Sequence, residues 1–243
     1  MTIALSKTAI DKFLSCPRCF FLKYRHKLDQ PEMISSKLWK GCERVTIAHY
    51  EKHRQAKTTP PNLIGQVPEG AIPYQGDRID LKSLRYWGKG LRFEVDGVLV
   101  STALDDMLQW ESAGGRRYAV VDYKSKSKAT DEKATAQLYQ TQADIFDLAA
   151  NTNEYPTDGF VYFDYHFPIE IERGEQPGNT FQRWGSQVIA LNVDHARIKK
   201  IILDAAACLD SEIPDSGEKC PVCSYVSERK ALMESIDASA KPE

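Results

Sequence analysis

The sequence has no excess of positive charge, no internal repeat, no low-complexity tract and no long apolar run, and each absence excludes something. Lysine and arginine number 32 against 34 aspartates and glutamates, a net charge of −2. Any nucleic-acid binding must therefore use local basic patches rather than a positive surface overall. Three segments qualify: Arg18 to Lys27, Lys124 to Lys128 and Arg197 to Lys200. Each reads equally well as a solvated face. No stretch approaches the roughly 20 apolar residues that a membrane helix needs, so no membrane partner is expected. The start, MTIALSKTAIDKF, lacks a basic segment followed by a long apolar core, and a cytoplasmic location is expected. Histidine is scarce, at five residues.

What is present is ordinary globular composition, 42% apolar and 27% charged over 243 residues. That fits one domain, 1–243, which divides into N-terminal helices (1–54), an insertion or loop (55–90), a core (91–210) and a C-terminal segment with a polar, frayed tail (211–243). Ser6 followed by Ile10, Phe13 and Leu14 predicts a capped short helix. Leu38 to His53 predicts a longer one, with Leu38, Cys42, Val45 and Tyr50 on one buried side. Thr-Thr-Pro-Pro and repeated Gly and Pro mark 55–90 as a connection with short strands at most. LRFEVDGVLV, DDMLQWES and RRYAVVDYKSK then predict strands, with a turn at Gly114-Gly115. A helix over 131–150, with Leu138, Ile145, Phe146 and Ala149 on one face, precedes two strands, GFVYFDYHF and QVIALNV. Asp194 caps a last helix, His195 to Leu209. The order predicts an α/β fold, a central mixed sheet flanked by helices.

Two strand segments carry acidic residues inside apolar patterns. Asp122 and Lys124 stand two apart, so they share one face of their strand, and an adjacent strand could bring Asp96 beside them. Converging carboxylates bind a hard divalent cation such as Mg²⁺ or Mn²⁺. Such a cation polarises a phosphodiester and activates water, and a neighbouring lysine stabilises the negative charge that develops. By themselves, Asp-x-Lys and paired strand carboxylates also fit a solvated sheet surface.

SKTAIDKFLSCPRCFFLKY (6–24), FEVDGVLV, VVDYKSK and YQTQADIF (139–146) resemble, in that order, the RecB-like branch of the PD-(D/E)XK nuclease superfamily. That branch includes CRISPR-associated RecB-type exonucleases. The resemblance spans nearly the whole chain and implies a restriction-endonuclease-like core. It implies a metal-dependent DNA nuclease, an exonuclease or flap-type enzyme, with single strands as an expected substrate. Asp96 and Asp122 become metal ligands, Lys124 the catalytic lysine, and Gln142 a residue that positions the site. Two departures stand out. Phe146 replaces the usual tyrosine, and the usual helix histidine is missing, leaving Glu43 or His49 for its place. They support an alternative, a nuclease-fold DNA- or protein-binding module that cuts weakly or not at all. The basic residues Lys126, Lys128 and Arg18, with Tyr24, Phe20 and Phe21, are candidates for phosphate contact and base stacking. Protein partners in a DNA-processing complex are expected.

The six cysteines are poor material for disulfides in such a chain. Cys42 and Cys208 fall in apolar helical patterns and read as inert thiols. Cys16-Pro-Arg-Cys19 and Cys220-Pro-Val-Cys223 form two pairs, each able to offer two thiolates to one metal, which would join the termini. By the resemblance this is a 4Fe-4S site. Zinc gives the same spacing. Either metal would be structural, because four cysteines leave no open position for substrate.

Overall fold

The computed structural model describes residues 4–31, 38–86, 88–174 and 179–239. The chain opens with a short strand, β1 (Ala4–Ser6), then helices α1 (Lys7–Ser15), α2 (Pro17–His26) and α3 (Leu38–Ala56). A single 3-10 turn (Pro61–Leu63), the two-residue β2 (Ile72–Pro73) and α4 (Leu81–Arg85) fill the predicted connection. Strands β3 (Leu91–Val95), β4 (Val98–Thr102), β5 (Asp106–Ser112) and β6 (Gly115–Ser125) precede α5 (Glu132–Thr152). The long pair β7 (Thr157–Arg173) and β8 (Thr180–Asn192) leads to α6 (His195–Asp210) and α7 (Pro221–Ser239).

Helix starts follow the expected capping chemistry. Ser6, Asp131 and Asp194 side chains accept the backbone N–H of Ala9, Ala134 and Arg197 at 3.1, 2.7 and 2.9 Å. Each cap is worth on the order of 1 kcal/mol.

Two sheets form. One has the order β1-β4-β3, the other β2-β5-β6-β7-β8. β5 runs antiparallel to β6, α5 crosses over, and β7 returns parallel to β6. That crossover is the usual route between parallel neighbours. Alternation along the strands gives each face its own core. Val120, Phe163 and Tyr165 pack with α5, α6 and the N-terminal helices on one side. Val121, Tyr123 and Tyr162 pack with Tyr50 of α3 and Leu63 on the other.

Four expectations are corrected here. LRFEVDGVLV is a hairpin rather than one strand: Asp96 and Gly97 form its two-residue turn with φ of 45° and 84°. Asp-Gly suits a turn in which both central residues take positive φ. On α3 the side that packs inward carries Thr46 and Tyr50, while Val45 is 72% exposed. The Leu38 side chain lies outside the described residues. Leu138 is likewise exposed, whereas α5 buries Ile145, Phe146 and Ala149 as expected, together with Gln142 and Ala143. The tail expected to fray is helical from Pro221 to Ser239. Phe146 is buried among apolar neighbours, an environment that suits phenylalanine better than a hydroxyl-bearing ring. Among the described residues no helix is long and apolar enough to cross a membrane.

Candidate active site and thiolate metal centre

β6 places Asp122 and Lys124 on the sheet face that α5 covers. Asp122 is 3% exposed, and the Lys124 ammonium stands against its Oδ2 as an ion pair. Gln142, the first residue of the continuously buried part of α5, donates from Nε2 to Asp122 Oδ1 at 2.7 Å. Its Oε1 accepts from Lys124 Nζ at 3.4 Å, so one amide fixes both members of the pair. The ammonium also lies over the Tyr139 ring, 4.5 Å from the centroid. Burial alone would lower the Lys124 pKa; the Asp122 charge and hydrogen bond more than offset it, and the net direction is upward. Lys124 is therefore a fixed positive charge rather than a base.

The second carboxylate here is Asp105. Register pairs Asp106 with Val121, so Asp105 lies across from Asp122 at the start of β5. Its Oδ2 accepts the backbone N–H of Tyr123 at 2.9 Å. Burial, then repulsion from Asp122, raises its pKa to about 7, against the pull of Tyr123 N–H and Lys124. Glu43 of α3 adds to that repulsion, which places its charge within reach of the same carboxylate. A carboxyl near neutrality beside a second carboxylate is the electrostatic mark of a place short of positive charge.

Asp96 is not brought to this cluster. It sits exposed in the β3–β4 turn, at the far end of β4 from the start of β5, with five strand residues between, or about 16 Å at about 3.3 Å per residue. Asp105 carried its own signal: an Asp-Asp pair at the head of an apolar strand, directly ahead of a partner strand bearing Asp-x-Lys. The next residue, Asp106, turns to the opposite face. There it takes Arg54 Nη2 at 2.5 Å, Arg85 Nη2 at 3.0 Å and Tyr123 Oη at 2.6 Å. That cluster ties α3 and α4 to the sheet.

His49 does not join Asp122 either. Its ring packs edge-on against His53 and lines a groove of about 870 Å³ between α3 and β8, with Cys42, Asn62, His166 and Trp184. Lys126 lies over the Tyr165 ring and bonds Thr130 Oγ1 at 3.0 Å, while Lys128 is exposed. Arg18 is turned to the C-terminal segment, donating to Pro214 O at 3.0 Å and pairing with Asp215. Phe20 and Phe21 are buried, and Tyr24 packs on Phe20, so the first two are core rather than stacking platforms. Cys42 and Cys208 are half-buried.

The four paired cysteines converge from opposite ends of the chain. Cys16 caps α2, and Cys220 immediately precedes α7; each is followed by a proline at the first helical position, where the missing N–H costs nothing. Cys19 and Cys223 lie one turn on. Sγ–Sγ separations are 3.7 Å for Cys16–Cys223, 3.7 Å for Cys19–Cys220 and 3.5 Å for Cys19–Cys223. All four sulfurs fall within 4.8 Å of one another. Cys16 Sγ accepts N–H groups from Gly217 at 3.3 Å and Cys19 at 3.5 Å. Burial raises the Cys16 thiol, but these donors and the neighbouring thiols bring it down to about 7. Burial pushes Cys19 and Cys223 up; the adjacent sulfurs add to this at Cys223, while at Cys19 the hydrogen bond with Cys223 pulls the other way. Four thiolates this close repel one another unless a cation sits between them, and the group is one that can hold a metal.

Compared with known protein families and with curated proteins, the chain matches none.

Proposed function

We propose that this chain is a metal-dependent DNA nuclease of PD-(D/E)XK type, with Asp105 in the place that the sequence alone gave to Asp96. The observation that carries the reading is the placement of Asp105 across from Asp122 at one sheet edge, with Lys124 and Gln142 locked onto it. The order β5, β6, crossover α5, β7 supports it too, because it accounts for why the aspartates and lysine come from adjacent strand ends and the glutamine from the following helix.

The donor set fits a hard divalent cation, Mg²⁺ or Mn²⁺. Asp105 and Asp122 would supply oxygen ligands; burial first, and then repulsion from Asp122, raises the Asp105 pKa to about 7, and a cation would relieve the second of these. Once bound there, such a cation would polarise the phosphodiester and make water acidic enough to attack. The protein's own groups do the rest. Asp105 and Asp122 are the carboxylates that would hold that cation. Gln142 keeps Asp122 from rotating. Lys124, fixed beside Asp122 as a positive charge, would stabilise the oxygen on which negative charge accumulates. Lys126 and Lys128, just beyond the strand, are placed to meet flanking phosphates.

Labelled single- and double-stranded DNA, incubated with the pure protein with and without manganese, tests this. Manganese-dependent cleavage lost in Lys124→Ala and Asp105→Asn, and kept in Asp96→Asn, is the expected pattern. One observation favours a second reading, a nuclease fold that binds DNA or protein without cutting: among the described residues, no third carboxylate or histidine comes close enough to share one ion with Asp105 and Asp122, Glu43 acting on Asp105 only through its charge. Retention of labelled DNA with no cleavage under any divalent cation would select it.

A further inference from the structure

The sequence resemblance implies a four-iron cluster on the cysteines, and the sulfur geometry does not suit one. A single tetrahedral ion with metal–sulfur bonds of about 2.3 Å sets its thiolates about 3.8 Å apart. The three shortest contacts here are 3.5, 3.7 and 3.7 Å, and all four sulfurs lie within 4.8 Å. A four-iron cluster binds each thiolate on a different iron, with the inorganic core between them, and spreads the sulfurs well beyond that span.

The surroundings oppose such a spread. A Cβ placed on Gly217 would come within 2.4 Å of Ser15 O and 3.2 Å of Cys16 Cα, so the chain before Cys220 lies flat against the first cysteine. Cys16, Cys19 and Cys220 are 2, 5 and 6% exposed. Opening the sulfur cage to admit a larger body would require lifting that segment. The N-termini of two helices, α2 and α7, meet at the site, and their positive ends suit the net −2 charge of one divalent ion with four thiolates.

We propose that Cys16, Cys19, Cys220 and Cys223 hold one zinc ion, a staple between the two ends of the chain. This is independent of whether the protein cuts DNA, because its test needs no substrate. Full-length protein, expressed with both iron and zinc supplied and purified without oxygen, is assayed for metals, acid-labile sulfide and visible absorption. The expected result is one zinc per chain, no labile sulfide and no brown colour. Iron with labile sulfide overturns the proposal, and so does a single iron without sulfide. Exchange with Co²⁺ gives a second readout: intense tetrahedral bands and thiolate charge transfer are expected, and weak octahedral absorption overturns the site. Cys223→Ser, at the most accessible ligand, is expected to shift those cobalt bands as one thiolate is lost. Unchanged bands in that variant count against a four-thiolate site.

Discussion

Asp105→Asn is the sharpest probe of the candidate active site, because it should remove function and add stability together. The folded protein holds the Asp105 carboxyl at about 7, against an ordinary value of 3.8, mainly through burial and then the Asp122 charge. A raised carboxyl pKa means the folded state binds the proton more tightly than the unfolded chain. Stability from this group is therefore complete below about pH 4 and is lost as pH rises through about 7. Three pKa units correspond to roughly 4 kcal/mol; partial exposure of Asp105 reduces this, to about 2–4 kcal/mol. The amide has nearly the same shape, no charge, and can still accept Tyr123 N–H. The variant should thus melt above the wild type by roughly 4–16 °C at pH 8 in buffer free of magnesium and manganese. The gain should shrink to nothing near pH 4. Paired thermal melts from pH 4 to 9 measure it. A difference that does not vary with pH, or a variant less stable at pH 8, would refute the placement of Asp105 in a charge-starved pocket. Wild-type manganese affinity should also climb about tenfold per pH unit below 7 and level off above it, as the cation competes with one proton.

Other substitutions separate catalysis from structure. Lys124→Ala should cut manganese-dependent cleavage by at least about 100-fold, measured as single-turnover rate, with DNA binding largely kept. Gln142→Ala removes the 2.7 Å bond to Asp122 and should weaken manganese binding by about 10–100-fold in a calorimetric titration. Arg54→Ala strips one partner from the fully buried Asp106 and should cost about 3–5 kcal/mol by denaturant unfolding, leaving the metal content of the cysteine site unchanged. Cys220→Ala should lower melting temperature and bound metal together; unchanged values for both would sink the staple.

Much of this architecture was legible in local patterns. Asp194 and Ser6 announced their helices because a capping side chain acts on an N–H only three residues away. The α/β order and a mixed sheet followed from strands interrupted by one long helix, while the parallel direction of β7 came only from the fold. Asp122 and Lys124 were readable as a pair because period-two alternation fixes which strand residues share a face, whereas Gln142, on a helix, was indicated only by the family resemblance. Asp96 misleads because its apolar flanks read as one strand, although Asp-Gly between alternating runs is a hairpin signal. Val45 and Leu138 misled in another way: on a helix against a curved sheet, the buried stripe depends on where the neighbour lies.

The capped helices, the strand alternation and the two Cys-x-x-Cys pairs are written in the local sequence, since each rests on interactions within a few residues. That Asp105 faces Asp122 was settled by folding, because it needs the β5–β6 register. Folding also decided that Phe20 and Phe21 are core, and that the two ends of the chain bring four sulfurs within 4.8 Å. Partners some 200 residues apart leave no trace in spacing; they meet only when both sheets and their covering helices have formed.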